Sequence, residues 1–225
     1  MIADWIAADW PAPDGVVAGT TLRTGSLASL QLTGDPCWLN QVHGADVVVA
    51  NRYDVPPDAD ACVGRQTGDI CVVKTADCLP VLICTEDGRE VAAAHAGWRG
   101  LVAGIIEATV AAMAHAPRDL LVWMGPAISQ PSFEVGDEVR AAFVKTDGEA
   151  AACFVANARG RWQADLYELA RRRLAALGVT RVYGGQFCTF ADKERFYSYR
   201  RNPDCGRMVS FVALDTLEIR GRDAS

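Results

Sequence analysis

The sequence of 225 residues lacks CxxC pairs and closely spaced histidine pairs, and it has only three histidines. Without a CxxC pair, a closed four-ligand zinc knuckle is not expected. No apolar run approaches the roughly 20 residues that span a bilayer. The first five residues, Met-Ile-Ala-Asp-Trp, lack the basic and then apolar layout of a signal peptide. We therefore expect a cytoplasmic protein without a membrane partner.

Basic residues are also in the minority. The 22 Lys and Arg residues against 28 Asp and Glu residues give a net charge of −6, with an isoelectric point of about 5.1. Surfaces that bind nucleic acid are usually basic, so we expect no nucleic-acid partner, although a local basic pocket is compatible with this charge. A hydrophobic fraction of 50% at this length fits one globular domain over residues 1–225. The oligomeric state stays open, with a monomer favoured.

Short runs rich in β-branched residues predict eight strands, at residues 15–22, 45–50, 70–74, 80–84, 90–94, 120–124, 181–183 and 208–214. Helical periodicity predicts three helices, at residues 101–115, 135–145 and 165–177. Strands outnumber helices and the connections vary in length, which predicts an α/β or α+β domain with mixed β-sheets. The eight cysteines are expected to be mostly free thiols that pack as small hydrophobes.

Three soft metal ligands, His43, Cys78 and His95, lie in short segments rich in glycine and polar residues. Two imidazoles and one thiolate suit Zn²⁺ and leave a fourth coordination position open, as in catalytic zinc sites. Each ligand adjoins the end of a predicted strand, so the three are expected to meet at one sheet edge. Taken singly, each has an ordinary structural alternative: a buried thiol for Cys78 and a hydrogen-bonded imidazole for either histidine.

Polar residues beside these ligands extend the hypothesis. Asp77 is a candidate general acid or base or ligand-orienting group, with an Asx-turn as the alternative. Arg99, at a helix start, is a candidate anion-binding residue or a surface arginine. Residues 195–201 alternate cations with aromatics, which suits a pocket that stacks a planar base and grips an oxyanion; an exposed edge strand explains the pattern almost as well. His115 is expected to be structural, near a helix C-terminus.

Several strings in the chain together resemble one family, the YfiH-like proteins, also called peptidoglycan editing factor or multicopper polyphenol oxidase (laccase). They fall in family order from residue 40 onward. The strings are Asn40-Gln41-Val42-His43-Gly44, Asp58-Ala59-Asp60, Ala76-Asp77-Cys78-Leu79-Pro80, His95-Ala96-Gly97-Trp98-Arg99-Gly100, Gly125-Pro126-Ala127-Ile128, Phe133-Glu134-Val135-Gly136, Cys188-Thr189, Tyr197-Ser198-Tyr199-Arg200-Arg201 and Gly206-Arg207. Ala127 stands where many relatives have Cys, which excludes a fourth sulfur ligand from that position.

The resemblance implies a single-domain layered sandwich of mixed sheets flanked by helices, with Zn²⁺ held by His43, Cys78 and His95. The family's oxidase label implies Cu²⁺, which is the less expected metal. It implies a purine nucleoside enzyme that uses phosphate. The expected reactions are phosphorolysis of adenosine, inosine, guanosine and methylthioadenosine, and deamination of adenosine. The candidate catalytic residues are Asp77 and Cys78, and the candidate substrate-binding residues are Asn40, Gln41, Arg99, Arg200, Arg201 and Arg207.

Three alternatives stay open. The first is a hydrolase that edits peptidoglycan precursors carrying L-serine in place of L-alanine, with Cys78 as nucleophile and His43 or His95 as base. The second is a polyphenol oxidase. A laccase needs several coppers to reduce O₂, and a single three-ligand site for one metal argues against this alternative. The third is a zinc-stabilised binding module without turnover.

Overall fold

The structure is a computed structural model that describes residues 4–214. The strands of this part are β1 (Trp5–Ala7), β2 (Val16–Thr21), β3 (Pro36–Cys37), β4 (Val47–Val49), β5 (Ala61–Gly64), β6 (Ile70–Thr75), β7 (Leu79–Thr85), β8 (Val91–Ala96), β9 (Leu120–Met124), β10 (Glu134–Val135), β11 (Phe154–Ala156), β12 (Trp162–Ala164), β13 (Arg181–Gly184) and β14 (Met208–Leu214). The helices are α1 (Trp98–Ala103), α2 (Ile105–Ala112), α3 (Asp137–Val144) and α4 (Leu166–Ala176). None of these helices is long and apolar enough to cross a bilayer.

Two mixed sheets dominate the fold. The six-stranded sheet has the order β13-β9-β7-β8-β5-β4, and the five-stranded sheet has the order β1-β2-β14-β6-β3. In the six-stranded sheet the central pairs are antiparallel, while β13 runs parallel to β9 and β4 runs parallel to β5. A small third sheet has the order β10-β12-β11. This mixed architecture confirms the predicted fold class.

Strand β7 shows how the sequence produces three layers. Successive side chains of a strand point to opposite faces of the sheet, so a strand buried on both faces needs apolar residues throughout. Leu79, Val81 and Ile83 of β7 pack in a core with the helices α1, α2 and α4. Leu82 and Cys84, on the other face, pack in a core shared with the five-stranded sheet. The six-stranded sheet is therefore the middle layer, with the second sheet on one side and helices on the other.

The eight predicted strands are all confirmed, with small shifts at their ends. The single helix predicted at residues 101–115 is wrong, because Gly104, with φ of +91°, ends α1 and begins α2. This left-handed conformation suits glycine, so the chain bends within an almost wholly apolar run. Four cysteines in the core between the two sheets are free thiols, namely Cys37, Cys62, Cys71 and Cys84.

Candidate metal centre and its cavity

His43, Cys78 and His95 come together at one end of the two sheets. One ligand atom from each lies within 4.8 Å of the others. Cys78 lies in the turn between β6 and β7, and His95 lies near the end of β8, where Pro80 of β7 pairs with it. His43 lies in the loop before β4, with its ring centroid 4.8 Å from that of His95. The predicted convergence is thus present, at the strand ends where the two sheets are joined.

Asp60 organises two of the three ligands and was not among the predicted site residues. It is fully buried, and its Oδ1 lies 2.7 Å from Nδ1 of His95. The same carboxylate accepts hydrogen bonds from three consecutive backbone N–H groups, those of Val42, His43 and Gly44. The φ of +62° at His43 turns these groups toward one point, as in an anion-binding nest.

This contact determines which nitrogen of His95 faces the site. Because Nδ1–H of His95 donates a hydrogen bond to the Asp60 carboxylate, Nε2 is the ring nitrogen that can coordinate a metal. Histidines that ligate metals almost always make such a bond to a carboxylate or carbonyl. The register between β5 and β8 explains why Asp60 meets His95. Ala61 pairs with Ala94, so Asp60, one residue earlier, lies opposite His95, whose backbone N–H donates to the Asp60 carbonyl at 2.7 Å.

The site stabilises a thiolate. Burial acts to raise the pKa of the Cys78 thiol, but hydrogen bonds to His43 and His95 lower it to about 6. Burial favours the neutral form of His95, yet the bonds to Asp60 and Cys78 raise its pKa to about 9. Burial also acts to raise the pKa of Asp60, and the bonds from His95 and the loop N–H groups hold it below its usual range. At neutral pH these pKa values give a thiolate beside an imidazolium. A metal bound at Nε2 of His95 would displace the proton of that ring, and a thiolate with two neutral imidazoles is a donor set that Zn²⁺ accepts.

Gly97 provides the space for the sulfur. A Cβ at this position would lie 2.8 Å from Sγ of Cys78 and 3.5 Å from Cδ2 of His43. The backbone of Gly97, with φ of −65° and ψ of 165°, is open to any residue. Glycine is therefore needed here for its missing side chain and not for its backbone freedom.

A cavity of about 660 Å³ opens beside the triad. Four cationic side chains line it, although the whole chain is acidic; these are Lys74, Arg99, Arg200 and Arg207. Three aromatic rings also line it, those of Trp98, Phe133 and Tyr199. The guanidinium of Arg200 lies 5.6 Å from the centre of the Phe133 ring, and that of Arg99 lies 4.4 Å from the Trp98 ring. The cavity thus combines positive charge with flat apolar surfaces.

Asp77 lines the cavity, but both of its carboxylate oxygens are engaged. Oδ1 accepts from the Thr189 hydroxyl at 2.6 Å, and Oδ2 accepts from the Ser198 hydroxyl and the backbone N–H of Arg200 at 3.0 and 2.7 Å. These bonds tie the Cys78 turn to the segment that carries Tyr199 and Arg200. The backbone of Asp77 has a φ of +88°, a conformation that Asp tolerates better than most residues.

Of the remaining predicted substrate-binding residues, three line the cavity and one does not. The side-chain amide of Gln41 exchanges two hydrogen bonds with the backbone of Lys74, and Asn40 donates to Asp58, so both lie at the cavity wall with existing partners. Arg207 also lines the cavity. The structure does not bring Arg201 to the lining, because its guanidinium donates to the carbonyls of Thr189, Phe190 and Phe196.

His115 lies apart from the triad, as the sequence predicted, but for a different reason. Its Nδ1 lies 2.7 Å from the buried carboxylate of Glu90, and its Nε2 lies 3.3 Å from Asp87. Two carboxylates therefore account for its position, and α2 ends at Ala112, three residues before His115.

Comparison with known proteins assigns the chain to a family. The family model described as multi-copper polyphenol oxidoreductase laccase matches residues 18–215. A purine nucleoside phosphorylase of Pseudomonas aeruginosa, PA4543, is 48% identical, over 93% of this chain and 98% of that protein. The purine nucleoside phosphorylase YfiH of Escherichia coli is 42% identical over the same shares. The chain belongs to the YfiH family.

The fold is shared with solved structures of YfiH relatives. A crystal structure of the Neisseria meningitidis protein NMB0706 matches with a TM-score of 0.90 at 40% identity, covering 95% of this chain and all of that one. YlmD from Geobacillus stearothermophilus matches with a TM-score of 0.85 at 26% identity. Residues 4–214 of this YfiH protein offer one group of three His, Cys, Asp or Glu side chains close enough to hold a metal.

Proposed function

We propose that this YfiH protein is a metal-dependent purine nucleoside phosphorylase. The observation that carries the proposal is a cavity that places four cations and three aromatic rings beside the His43, Cys78 and His95 group. A nucleoside and phosphate need these same features, because a purine stacks on flat rings and a phosphate dianion needs cations. The curated relatives carry the same activity in their names.

His43, Cys78 and His95 would hold the metal, which we propose to be zinc. The two imidazole nitrogens and the thiolate form a three-ligand set with room for one more ligand, typical of catalytic zinc. When bound, the ion would supply Lewis acidity toward a substrate oxygen. A laccase would need several coppers, and residues 4–214 provide one such group.

The residues of the chain serve the phosphorolysis by positioning and by charge. Lys74, Arg99, Arg200 and Arg207 would hold phosphate so that one of its oxygens bonds to C1′ of the ribose. The bond between C1′ and N9 breaks at the same time, and its electron pair leaves on the purine, which takes up the proton that the hydrogen phosphate releases. The products are the free base and the 1-phosphate of the sugar, which is ribose 1-phosphate for adenosine, inosine and guanosine. In this arrangement Asp77 holds in place the segment that carries Tyr199 and Arg200, through its bonds to the Ser198 hydroxyl and the backbone N–H of Arg200.

The expected nucleosides are adenosine, inosine, guanosine and methylthioadenosine. We further propose adenosine deamination in the same cavity, in which water replaces the 6-amino group and ammonia leaves.

Product analysis tests the proposal. Zinc-loaded protein is incubated with inosine or adenosine, with and without phosphate. Hypoxanthine or adenine with ribose 1-phosphate, formed only with phosphate present, is the expected result, with inosine as a further product from adenosine. Cys78→Ala should lose both zinc and turnover. Cys84→Ala, which truncates a buried thiol between the two sheets, should keep both. Full zinc content and full activity in Cys78→Ala would contradict the proposal.

A second function is favoured by one specific contact set. Cys78, His95 and Asp60 also form a thiolate, imidazole and carboxylate series, the arrangement of a cysteine hydrolase. Such an enzyme would cleave an amide, for example in a peptidoglycan precursor. Treatment with a chelator and with a thiol-alkylating reagent separates the two. The hydrolase would survive metal removal and be inactivated by alkylation, whereas the phosphorylase would be inactivated by both.

A further inference from the structure

Thr75 carries a buried polar atom that the fold itself does not use. The residue is only 1% exposed. Its Oγ1 has no hydrogen-bond partner among residues 4–214. Thr75 also lines the cavity beside the triad, three residues before Cys78. An unpartnered polar atom in a residue that lines the cavity points to a ligand as its missing partner.

The strand pattern explains why Thr75 is on the inner side. Cys71 and Val73 of β6 pack in the core between the two sheets, whereas Ile70 and Val72 pack on the opposite face. By the two-residue period, Thr75 continues the inner row at the point where the core gives way to the cavity. Lys74, on the other face, is exposed. A valine would fill the same volume without an unsatisfied oxygen, so packing gives no reason for threonine.

We propose that the Thr75 hydroxyl forms a hydrogen bond with a ribose hydroxyl of the nucleoside, an inference that rests on the proposed function. The cations of the cavity match phosphate and its aromatic rings match the base. The ribose hydroxyls are the remaining polar groups of the substrates, and they are neutral. A neutral hydroxyl that both donates and accepts matches them. Buried groups of this kind discriminate strongly against ligands that leave them unpaired.

The test compares Thr75→Val with wild type on inosine and on its 2′-, 3′- and 5′-deoxy analogues. We expect KM for inosine to rise about tenfold with little change in kcat, the pattern for loss of a contact made equally in ground and transition states. On the analogue that lacks the contacted hydroxyl, variant and wild type should be equal. Thr75→Ser, which keeps the hydroxyl, should behave as wild type on all four substrates.

Thr21→Val is the matched control, since Thr21 is also a buried threonine of the five-stranded sheet but its Oγ1 accepts the backbone N–H of Val209 at 2.9 Å. It should lower Tm by about 2–4 °C and leave KM unchanged. Thr75→Val should leave Tm unchanged or raise it, because it removes an unsatisfied polar group.

Three results would overturn the proposal for Thr75. These are a wild-type KM for inosine in Thr75→Val, an equal loss on every deoxy analogue, and a fall in Tm like that of Thr21→Val. If wild type consumes no nucleoside at all, the proposed function fails instead. The Thr75 contact is then judged by the affinity of each protein for inosine in calorimetry, where an unchanged affinity in Thr75→Val overturns it.

Discussion

Replacing Gly97 by alanine tests the geometry of the metal centre with a single methyl group. The new Cβ would lie 2.8 Å from Sγ of Cys78, whereas nonbonded heavy atoms of this kind prefer about 3.5–4.0 Å. Because the φ of −65° at Gly97 suits alanine, no backbone strain accompanies the change. The whole effect therefore falls on the sulfur, which has to move by about 1 Å or push the helix start away.

The expected loss of zinc affinity follows from how little the ligand distances of a metal site can vary. Ligand distances in such sites hold within about 0.2 Å, so a displacement of about 1 Å takes Cys78 out of position. We expect zinc affinity to fall at least tenfold, roughly the lower bound for losing a group that merely supports a ligand. Overpacking of this kind also costs about 1–3 kcal/mol of folding stability, which leaves the protein folded.

The assay is competition for zinc against a coloured chelator at neutral pH, with circular dichroism to show that each variant is folded. Gly148→Ala is the control, since a Cβ at Gly148 meets no heavy atom within 4 Å. It should bind zinc like wild type. A folded Gly97→Ala protein with wild-type zinc affinity would refute the reasoning, because the sulfur would then not be confined against Gly97.

Three further predictions concern the supports of the site and fold. Asp60→Asn should lower zinc affinity about 10–100-fold, measured by the same competition, because His95 loses its carboxylate partner. The pKa of the Asp60 carboxyl is lower in the folded protein than in the unfolded chain, so its contribution to stability is present above about pH 3.9 and is lost as pH falls through the folded-state pKa. In urea unfolding measured at decreasing pH, Asp60→Asn should therefore lose less stability than wild type. The hydrogen bond to Glu90 raises the pKa of His115. The contribution of His115 to folding stability is therefore full below about pH 6.5 and is lost as pH rises through the folded-state pKa. His115→Gln should remove this slope, which is worth less than about 1 kcal/mol at a partly exposed site. Gly104→Ala should cost about 1–2 kcal/mol in urea unfolding at neutral pH, because its φ of +91° strains any residue with a Cβ.

Much of the sheet architecture was predictable from local pattern. The strands at residues 79–85 and 120–124 are short apolar runs, and period-two side-chain packing on both faces follows from such runs. The break at Gly104 was missed because an apolar periodic run predicts helix across a single glycine, and the left-handed φ appears only in three dimensions. The strand at residues 61–64 was also missed, being short and preceded by a loop rich in aspartate and proline.

The sequence predicted that His43, Cys78 and His95 would lie together, and it predicted less well the residues that support them. Their role as metal ligands stays a prediction. Asp60 lies in a string that resembles the family, yet its role depends on the register between β5 and β8. A general expectation that ligating histidines donate to a carboxylate was the signal that could have found it. For Asp77, the sequence left a proton-transfer role open, and the structure shows a carboxylate whose oxygens are taken by Thr189, Ser198 and Arg200. Its catalytic role stays a prediction.

The sequence by itself determined which atoms could coordinate a metal, since the imidazole nitrogens of His43 and His95 and the sulfur of Cys78 follow from residue type alone. Their family strings and the strand pattern are likewise local. Tertiary structure alone decided which groups meet: Asp60 with His95 across 35 positions, and Asp77 with Thr189 across 112. It also decided that Gly97 leaves space for a sulfur and that the Thr75 hydroxyl has no hydrogen-bond partner within residues 4–214. The physical reason is that donor chemistry belongs to single residues, whereas hydrogen bonding, burial and pKa depend on neighbours brought together by long-range pairing.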